Sequence, residues 1–140
     1  MGFFDLDLVG DNTFFDKNWI KMLGYDPTKF EHSIDSVKKL IHPDDKEIIL
    51  NKFNALLEGK IPFIESEERL LRNNGTWIWI LLRAKVISWD ETGKPIRILG
   101  THMDINIRKI AEEKVREQER YLQNIIDNLP GYVTYVDWVP

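Results

Sequence analysis

Two pairs of neighbouring carboxylates are the residues whose types and spacing could do acid–base chemistry. Asp5 and Asp7 stand two residues apart, and Asp44 and Asp45 are adjacent. Such pairs can act as general acid and general base. Strand alternation explains the first pair, however, and a helix N-terminus, which stabilises negative charge, explains the second. No serine or histidine stands in a nucleophile motif, so the sequence does not predict an enzyme.

The three histidines do not have the spacing of a metal site. His32 is predicted to lie in a loop, His42 at the start of a helix and His102 in the last strand. The chain has no cysteine, so disulfides, cysteine nucleophiles and thiolate metal sites are excluded. No metal site is predicted, and the composition permits a reducing compartment.

Length and charge narrow the class of protein further. The chain has 140 residues, of which 43% are hydrophobic, enough for one globular core. A net charge of -4 does not favour nucleic-acid binding. No apolar run approaches the roughly 20 residues that span a bilayer, and the N-terminus lacks signal-peptide features. We expect a cytoplasmic domain with no membrane contact of its own, and leave open a membrane anchor elsewhere in a parent protein.

The N-terminal part of the chain changes from a strand pattern to a helix pattern. Phe4, Leu6 and Leu8 alternate with aspartates ahead of Gly10, which predicts two strands joined by a tight turn. Asn18 is the expected N-cap of a short helix in the stretch NWIKMLG. The stretch HPDDKEIILNKFNALLEG predicts a longer helix, with proline and acidic residues in its first turn and glycine at its end. Its expected buried stripe consists of Ile49, Phe53, Leu56 and Leu57.

The remaining sequence returns to strand patterns. Turn sequences NNG and DETG separate the stretches FIESEERLLR, TWIWILLRAKVISW and PIRILGTHMDI, so three antiparallel strands are predicted. In the middle strand, alternation places Trp77 and Trp79 on one face and Ile78 and Ile80 on the other. Because both faces are apolar, helices should cover one face, and a terminal helix or another subunit should cover the second. A final helix is predicted from about Asn106.

The order and spacing of these stretches resemble the PAS domain family, including the C-terminal segment called the PAC motif. The resemblance covers residues 2 to about 110 and rests on NWIKMLGYDP, IHPDD, RLLRNNGTWIWILLRAKVISWDETGKPIRILGTHMDI and the charged helix that follows. It implies the α+β class and a PAS fold, a five-stranded antiparallel sheet with helices on one face and a C-terminal output helix. We therefore expect a PAS/PAC sensor domain at residues 1–106.

In PAS domains the last strand ends in an Asp-Ile-Thr signature that passes conformational change to the output helix. Here the signature is Asp104-Ile105-Asn106, with Asn in place of Thr. Asn is a good N-cap, so its side chain is expected to satisfy a helix N–H group, although a contact specific to Thr would be lost. The resemblance makes Asp104, Asn106 and Arg83 relay residues. The Asp104 carboxylate is expected either to accept hydrogen bonds from helix N–H groups or to pair with a basic residue on a neighbouring strand, for which Arg83 is the candidate. An ordinary solvent-exposed cap is the alternative.

The last helix has apolar residues at alternating steps of four and three, the spacing of a parallel two-stranded coiled coil. We expect a coiled-coil linker helix at residues 107–128 of a homodimer; a helix folded back on its own sheet is the alternative. Beyond it, Gly131-Tyr132-Val133 echoes Gly2-Phe3-Phe4, so residues 129–140 resemble the truncated start of a second PAS domain. The expected dimer seam contains Ala111, Val115, Gln118, Leu122, Ile125 and Leu129.

A PAS cavity between sheet and helices allows two functions. It either binds a small molecule that shifts the output helix, or it is filled by side chains in a domain that only dimerises and relays. Five tryptophans and seven phenylalanines favour a filled core, and no inward polar group is identified. The residues expected to line the cavity are Trp19, Leu23, Phe53, Leu56 and Trp79. If Trp79 lies on the outer face of the sheet, Ile78 and Ile80 replace it.

The cofactor and the output domain stay open. The absent cysteine excludes the flavin–cysteinyl adduct that one PAS branch uses. Noncovalent flavin and a histidine-ligated haem, which some PAS domains bind, remain alternatives to an empty core. The expected function is sensory relay within a larger tandem-domain receptor of bacterial type, whose output domain in the same chain is a histidine kinase or a diguanylate cyclase. A purely structural dimerisation module is the alternative.

Overall fold

The computed structural model describes residues 1–129, so residues 130–140, and with them almost all of the predicted start of a second PAS domain, lie outside the described residues. The described elements confirm the predicted strand–helix–strand order. They are β1 (Gly2–Asp7), β2 (Phe14–Phe15), α1 (Lys17–Met22), α2 (Ile34–Lys38), α3 (Pro43–Leu57), β3 (Ile64–Leu71), β4 (Trp77–Trp89), β5 (Pro95–Asp104) and α4 (Asn106–Asn128).

The five strands form one antiparallel sheet in the order β2-β1-β5-β4-β3. The two predicted C-terminal hairpins account for the pairing of β3 with β4 and of β4 with β5. Strand β1 pairs with β5, which places Phe4 opposite Gly100. A Cβ atom at Gly100 would collide with the Phe4 ring and the Arg83 carbonyl oxygen, so glycine lets the ring lie against the backbone of β5. Strand β5 is therefore the central strand of the sheet, with β1 on one side and β4 on the other.

The core lies on one face of this sheet, beneath the helices. Along β4, alternate residues from Ile78 to Val86 are buried and pack with Trp19 and Ile20 of α1 and Ile49 of α3. The opposite face carries partly exposed apolar side chains, which makes both faces of the strand apolar, as the sequence predicts. The expected PAS architecture, with helices on one sheet face, is confirmed.

The start of α1 differs from the prediction. The N-cap is Asp16 rather than Asn18: its Oδ1 accepts hydrogen bonds from the backbone N–H groups of Trp19, at 2.8 Å, and of Phe3, at 3.1 Å. Asn18 lies inside the helix and is exposed. Asp16 satisfies a helix N–H and a β1 N–H with one oxygen, so it holds the helix against the first strand.

The start of α3 covers the free edge of β3. His42 N–H donates to the Arg69 carbonyl at 3.0 Å, and Arg69 N–H donates to Asp45 Oδ2 at 2.9 Å. The Arg69 guanidinium also binds both carboxylate oxygens of Asp45, at 3.0 and 2.8 Å. Burial opposes ionisation of Asp45, but the hydrogen bonds from Arg69 and its charge outweigh burial and lower the Asp45 pKa below its ordinary value.

Contacts divide the chain into a compact unit, Met1–Asn106, and a second unit that starts at Ile107. In the second unit α4 continues to Asn128, and none of its residues is buried. Val115, Leu122 and Ile125 of the predicted seam are exposed on it. Among residues 1–129, no helix has both the length and the apolar character needed to cross a bilayer.

The double role of Asp16 predicts a stability loss at that position and none at its neighbour. Asp16→Ala should lower the free energy of unfolding by about 1–2 kcal/mol, because two backbone N–H groups lose their acceptor. Asn18→Ala is the matched control and should change it by less than about 0.5 kcal/mol. Urea unfolding measures both, and equal losses in the two variants would contradict the assigned cap.

The ion pair at the β3 edge predicts a defined pH dependence. Because the Asp45 pKa is lower in the folded protein than its ordinary value of 3.8, its stabilisation is fully present above pH 3.8 and is lost as the pH falls through the folded pKa. Asp45→Asn should cost about 1.5–3 kcal/mol at pH 7, and this difference should shrink below pH 3.8.

The control is Asp44→Asn, since Asp44 is exposed and lies 4.0 Å from the Arg69 guanidinium. It should change stability little at any pH. Thermal unfolding of the unaltered protein and the two variants between pH 2 and 7 measures the stability cost of each substitution at each pH. A cost of Asp45→Asn that stays constant with pH would contradict the assigned ion pair.

Candidate functional site

A cavity of about 200 Å³ lies between the sheet and helices α2 and α3. Most of its wall is apolar, with aromatic side chains from Phe4, Phe15 and Phe53. Lys38 and Asn54 also lie on the lining and are exposed, so they mark the side on which the cavity meets solvent. An apolar hollow with few polar groups is the usual form of a small-molecule site.

Two polar side chains lie at the inner wall of this cavity. Glu68 on β3 and His102 on β5 are only 2% and 3% exposed. Imidazole Nε2 lies 3.2 Å from Glu68 Oε1, yet the two atoms lack hydrogen-bond geometry. Neither that nitrogen nor Glu68 Oε2 has a hydrogen-bond partner among the described residues. Unsatisfied buried polar atoms are rare in native proteins and call for a specific explanation.

The opposite nitrogen of His102 is occupied. The Trp19 indole Nε1–H, which can only donate, forms a hydrogen bond to His102 Nδ1. A nitrogen that accepts carries no proton, so His102 is in the neutral tautomer with its proton on Nε2. The Phe4 ring also packs on the imidazole, with centroids 4.9 Å apart. His102 is thus held in one orientation, and its Nε2 on the cavity side is an N–H donor without a hydrogen-bond partner among the described residues.

The predicted lining residues occupy different places. Phe53 lies on the cavity lining. Trp19, Leu23 and Leu56 are buried in the core but are not on that lining, and Trp19 acts on the cavity through His102. Trp79 is corrected, because it lies on the opposite face of the sheet, where the Arg69 guanidinium lies 4.9 Å from its ring centroid. Ile78 and Ile80 take the inward positions on β4, although neither reaches the lining.

Sequence reasoning missed Glu68 and His102 as cavity groups. The alternation in β3 contains the signal: Ile64 and Leu70 must face the core, and Glu68 shares their parity along the strand. The same parity puts His102 on the face of Ile98 in β5. Identifying this polar pair required choosing the inner face first, and the two apolar faces of β4 left that choice open.

The cavity is smaller than the sites that the two cofactors left open by the PAS resemblance would need. Sites for drug-sized molecules usually occupy about 300–1,000 Å³, and flavin and haem are at least that large. The cavity has about 200 Å³. The Nδ1 atom of His102 accepts from Trp19, which leaves only Nε2 without a hydrogen-bond partner among the described residues. Across residues 1–129, no cluster of three or more His, Asp or Glu side chains is arranged for a metal ion.

The junction between β5 and α4 is held by a short set of hydrogen bonds. Asp104 Oδ1 accepts from Asn106 N–H at 2.9 Å. Asn106 Oδ1 accepts from the Trp79 backbone N–H at 3.2 Å, and the Trp79 carbonyl accepts from Ile105 N–H at 3.0 Å. Asn106 therefore bonds to strand β4 rather than to a helix N–H, contrary to the prediction. Through these bonds the Trp79 backbone holds Ile105 and Asn106, the first residue of α4, against the sheet.

Of the two partners expected for Asp104, a helix N–H group is observed, that of Asn106, whereas Arg83 pairs elsewhere. The antiparallel register sets Asp104 opposite Ile80 and Arg83 opposite Thr101, three residues away along β4. Arg83 instead lies 3.3 Å from the carboxylate of Glu65, its neighbour across β3 and β4. Asp104 therefore contacts the helix start through the Asn106 N–H group.

Comparison with known proteins identifies related sequences and folds. Hybrid signal transduction histidine kinase A of Dictyostelium discoideum is 30% identical over 83 residues, which are 58% of this chain and 4% of that protein. The methyl sulfide methyltransferase-associated sensor of Methanosarcina acetivorans is 29% identical over 120 residues, 86% of this chain and 11% of that protein. The chain thus spans a small part of the length of these curated relatives.

A solved structure of a signalling protein has a similar fold. The crystal structure of a sensory box histidine kinase/response regulator from Burkholderia thailandensis E264 superposes with a TM-score of 0.76 at 27% identity. The match covers 88% of this chain and 90% of that one. The family model described as PAS fold matches residues 12–102, more than half of the sequence. This chain therefore belongs to the PAS family, as its fold, its core and its strand-to-helix junction indicate.

Proposed function

We propose that this PAS domain is a sensory relay of a larger signalling protein, in which the state of the cavity changes the start of α4 within a homodimer. The observation that carries the proposal is the position of His102. Its side chain lies on the cavity lining, and it precedes Asp104, the residue that accepts from Asn106 N–H, by two positions on β5. A ligand that displaces His102 would shift the strand that leads directly into the helix.

A second route supports the same proposal. Helix α3 lines the cavity through Phe53 and carries Asp45 in its first turn, where Asp45 binds the Arg69 guanidinium. That guanidinium lies over the Trp79 ring, and the Trp79 backbone holds Asn106. A movement of α3 would therefore reach the same helix start from the other side of the sheet. The two routes meet at Asn106.

Dimer formation is supported by two apolar surfaces. The outer sheet face exposes Phe3, Trp77 and Ile87, each 37–38% exposed. Helix α4 exposes Val115 and Leu122 of the predicted seam, each more than half exposed. A helix with such a stripe and no buried residue gains little stability alone and is stabilised by a second copy. We propose a homodimer through the seam, through the outer sheet face, or through both.

The proposed output is a histidine kinase in the same parent chain, because one curated relative and the compared structure carry that name. A diguanylate cyclase output is the alternative that the sequence pattern leaves. A regulatory PAS domain has no catalytic role in either arrangement. We propose a cytoplasmic location, in keeping with a chain that has no cysteine. The purely structural dimerisation module is less favoured, because a side-chain-filled core gives the unsatisfied Glu68 and His102 atoms no role.

The relay predicts that two junction residues matter for signalling more than for stability. Asn106→Ala and Asp104→Ala should each cost about 1 kcal/mol of unfolding free energy. In the full-length parent protein, each should reduce the signal-dependent change in output activity about fivefold or more, because coupling free energies are typically of that size. Output activity and melting temperature are measured on the same preparations.

Asp90→Ala is the matched control for these two variants. Asp90 Oδ1 accepts from the N–H groups of Thr92 and Lys94 in the β4–β5 turn, away from the helix start. Its loss should cost similar stability and leave the response intact. A full response in Asp104→Ala and Asn106→Ala would contradict the relay and leave both residues with a structural role alone.

The homodimer is tested by placing a charge in the seam. Light scattering at high micromolar concentration should give a dimer for the unaltered chain. Leu122→Glu should shift the average mass towards the monomer, because a buried carboxylate opposes helix pairing. Asn124→Glu, on the opposite side of α4, should not. A monomeric unaltered chain would contradict the dimer, and a dimeric Leu122→Glu would assign the interface to the outer sheet face.

A further inference from the structure

The buried Glu68–His102 pair has hydrogen-bonding capacity that the described residues leave unused. We propose that the pair recognises the ligand of the sensory cavity, and that this ligand is an uncharged molecule about the size of one substituted aromatic ring, carrying a group that both donates and accepts a hydrogen bond. This inference rests on the proposed sensory function and adds the chemical class of the signal.

The volume of the cavity sets the size of the ligand. An apolar protein cavity of about 150 Å³ is enough to bind benzene. The present cavity, at about 200 Å³, has room for a six-membered ring or a branched chain of similar bulk and a substituent of two or three atoms. The aromatic walls formed by Phe4, Phe15 and Phe53 suit a flat apolar body.

The polar pair sets the chemistry of the substituent. His102 offers a donor at Nε2, because its Nδ1 accepts from Trp19. Glu68 offers Oε2, a carboxyl oxygen without a partner among the described residues. Since Nε2 lies only 3.2 Å from the other oxygen of Glu68, one small ligand group can reach both side chains. A primary amide, an alcohol or an undissociated carboxylic acid can satisfy both, whereas a ketone or a hydrocarbon cannot.

The charges around the cavity exclude an ionic group at the pair. The titratable groups on the lining are Glu68, His102 and Lys38, and the last is exposed at the solvent side. His102 is neutral while it accepts from Trp19. A ligand anion would meet the Glu68 carboxyl without a neutralising cation, and a buried unpaired charge is costly. An ammonium cation only donates, so it would leave the His102 Nε2–H without an acceptor. The recognised group is therefore uncharged.

Three probes that differ in one group test this assignment on the intact chain. Benzamide donates and accepts, acetophenone has the same shape but only accepts, and toluene does neither. We expect benzamide to bind about tenfold or more tightly than acetophenone, because the unsatisfied Glu68 oxygen gains a donor only from the amide. Calorimetry measures the affinities. The Trp19 indole N–H resonance reports whether the probe reaches His102.

Two variants assign the preference to the pair. Glu68→Leu should abolish the difference between benzamide and acetophenone and strengthen toluene binding, because the inner wall becomes apolar. Ser66→Ala is the matched control: Ser66 also faces inward on β3, but it bonds to Lys52 and is not on the lining. It should leave the ratio unchanged. The probe ratio in the unaltered chain needs no variant to fold, so the test does not depend on Glu68→Leu.

The outcomes separate this inference from the function on which it rests. If the three probes bind equally and shift resonances of the lining, the cavity is a ligand site, and only polar recognition by the pair is overturned. If no probe binds up to its solubility limit, both the recognition and the ligand-gated form of the proposed function are overturned. Benzamide binding that leaves the Trp19 indole resonance unmoved also overturns the assignment.

Discussion

Strand β5 lies between β1 and β4, and the backbone hydrogen bonds on its two edges fix the register of the whole functional region. This register sets His102 opposite Gly2 on one side and Leu82 on the other, so its imidazole faces the core. Two residues later Asp104 leaves the sheet beside the first residue of α4. Because strand residues alternate between faces, the spacing of two residues puts His102 and Asp104 on the same side of β5.

The buried polar groups Glu68 and His102 have unused hydrogen-bonding capacity, which an apolar core alone would lack. An unsatisfied buried polar atom costs about 1–3 kcal/mol, a large share of the roughly 5–15 kcal/mol that stabilises a domain. Apolar residues in place of Glu68 and His102 would remove that cost. A ligand that hydrogen-bonds to the pair would remove the same cost, which would add to its binding free energy. In the proposed relay, this binding would shift β5, the strand that leads into α4.

Local sequence patterns predicted the elements well, because each has a physical signature. Alternation and the NNG and DETG turns placed β3, β4 and β5 within about two residues, and Pro43 and Gly59 bounded α3 closely. The pairing of β1 with β5 joins residues far apart in sequence, so local pattern could not supply it. The family resemblance supplied the architecture instead. The cap of α1 was misplaced by two residues, because both Asp16 and Asn18 are residue types that cap helices.

The site was less predictable for a different reason. Trp79 and Ile80 are both large and apolar, so β4 alone could not show which face was inside. The outward Trp79 then proved to hold Asn106 through its backbone, a role that no side-chain property could indicate. Glu68 became visible as a cavity group only after the inner face was known. Pairing of Arg83 with Asp104 could not be judged before the register was known, since the register sets Arg83 three residues along β4 from Ile80, which lies opposite Asp104.

The central claim is that a change at the cavity reaches the start of α4. A titration of the isotope-labelled chain with benzamide tests it most directly, by following the Trp19 indole N–H and the Asn106 backbone N–H in the same NMR spectra. We expect both resonances to shift along one saturation curve, since β5 connects the two sites. A Trp19 shift that saturates while the Asn106 resonance stays fixed would contradict it.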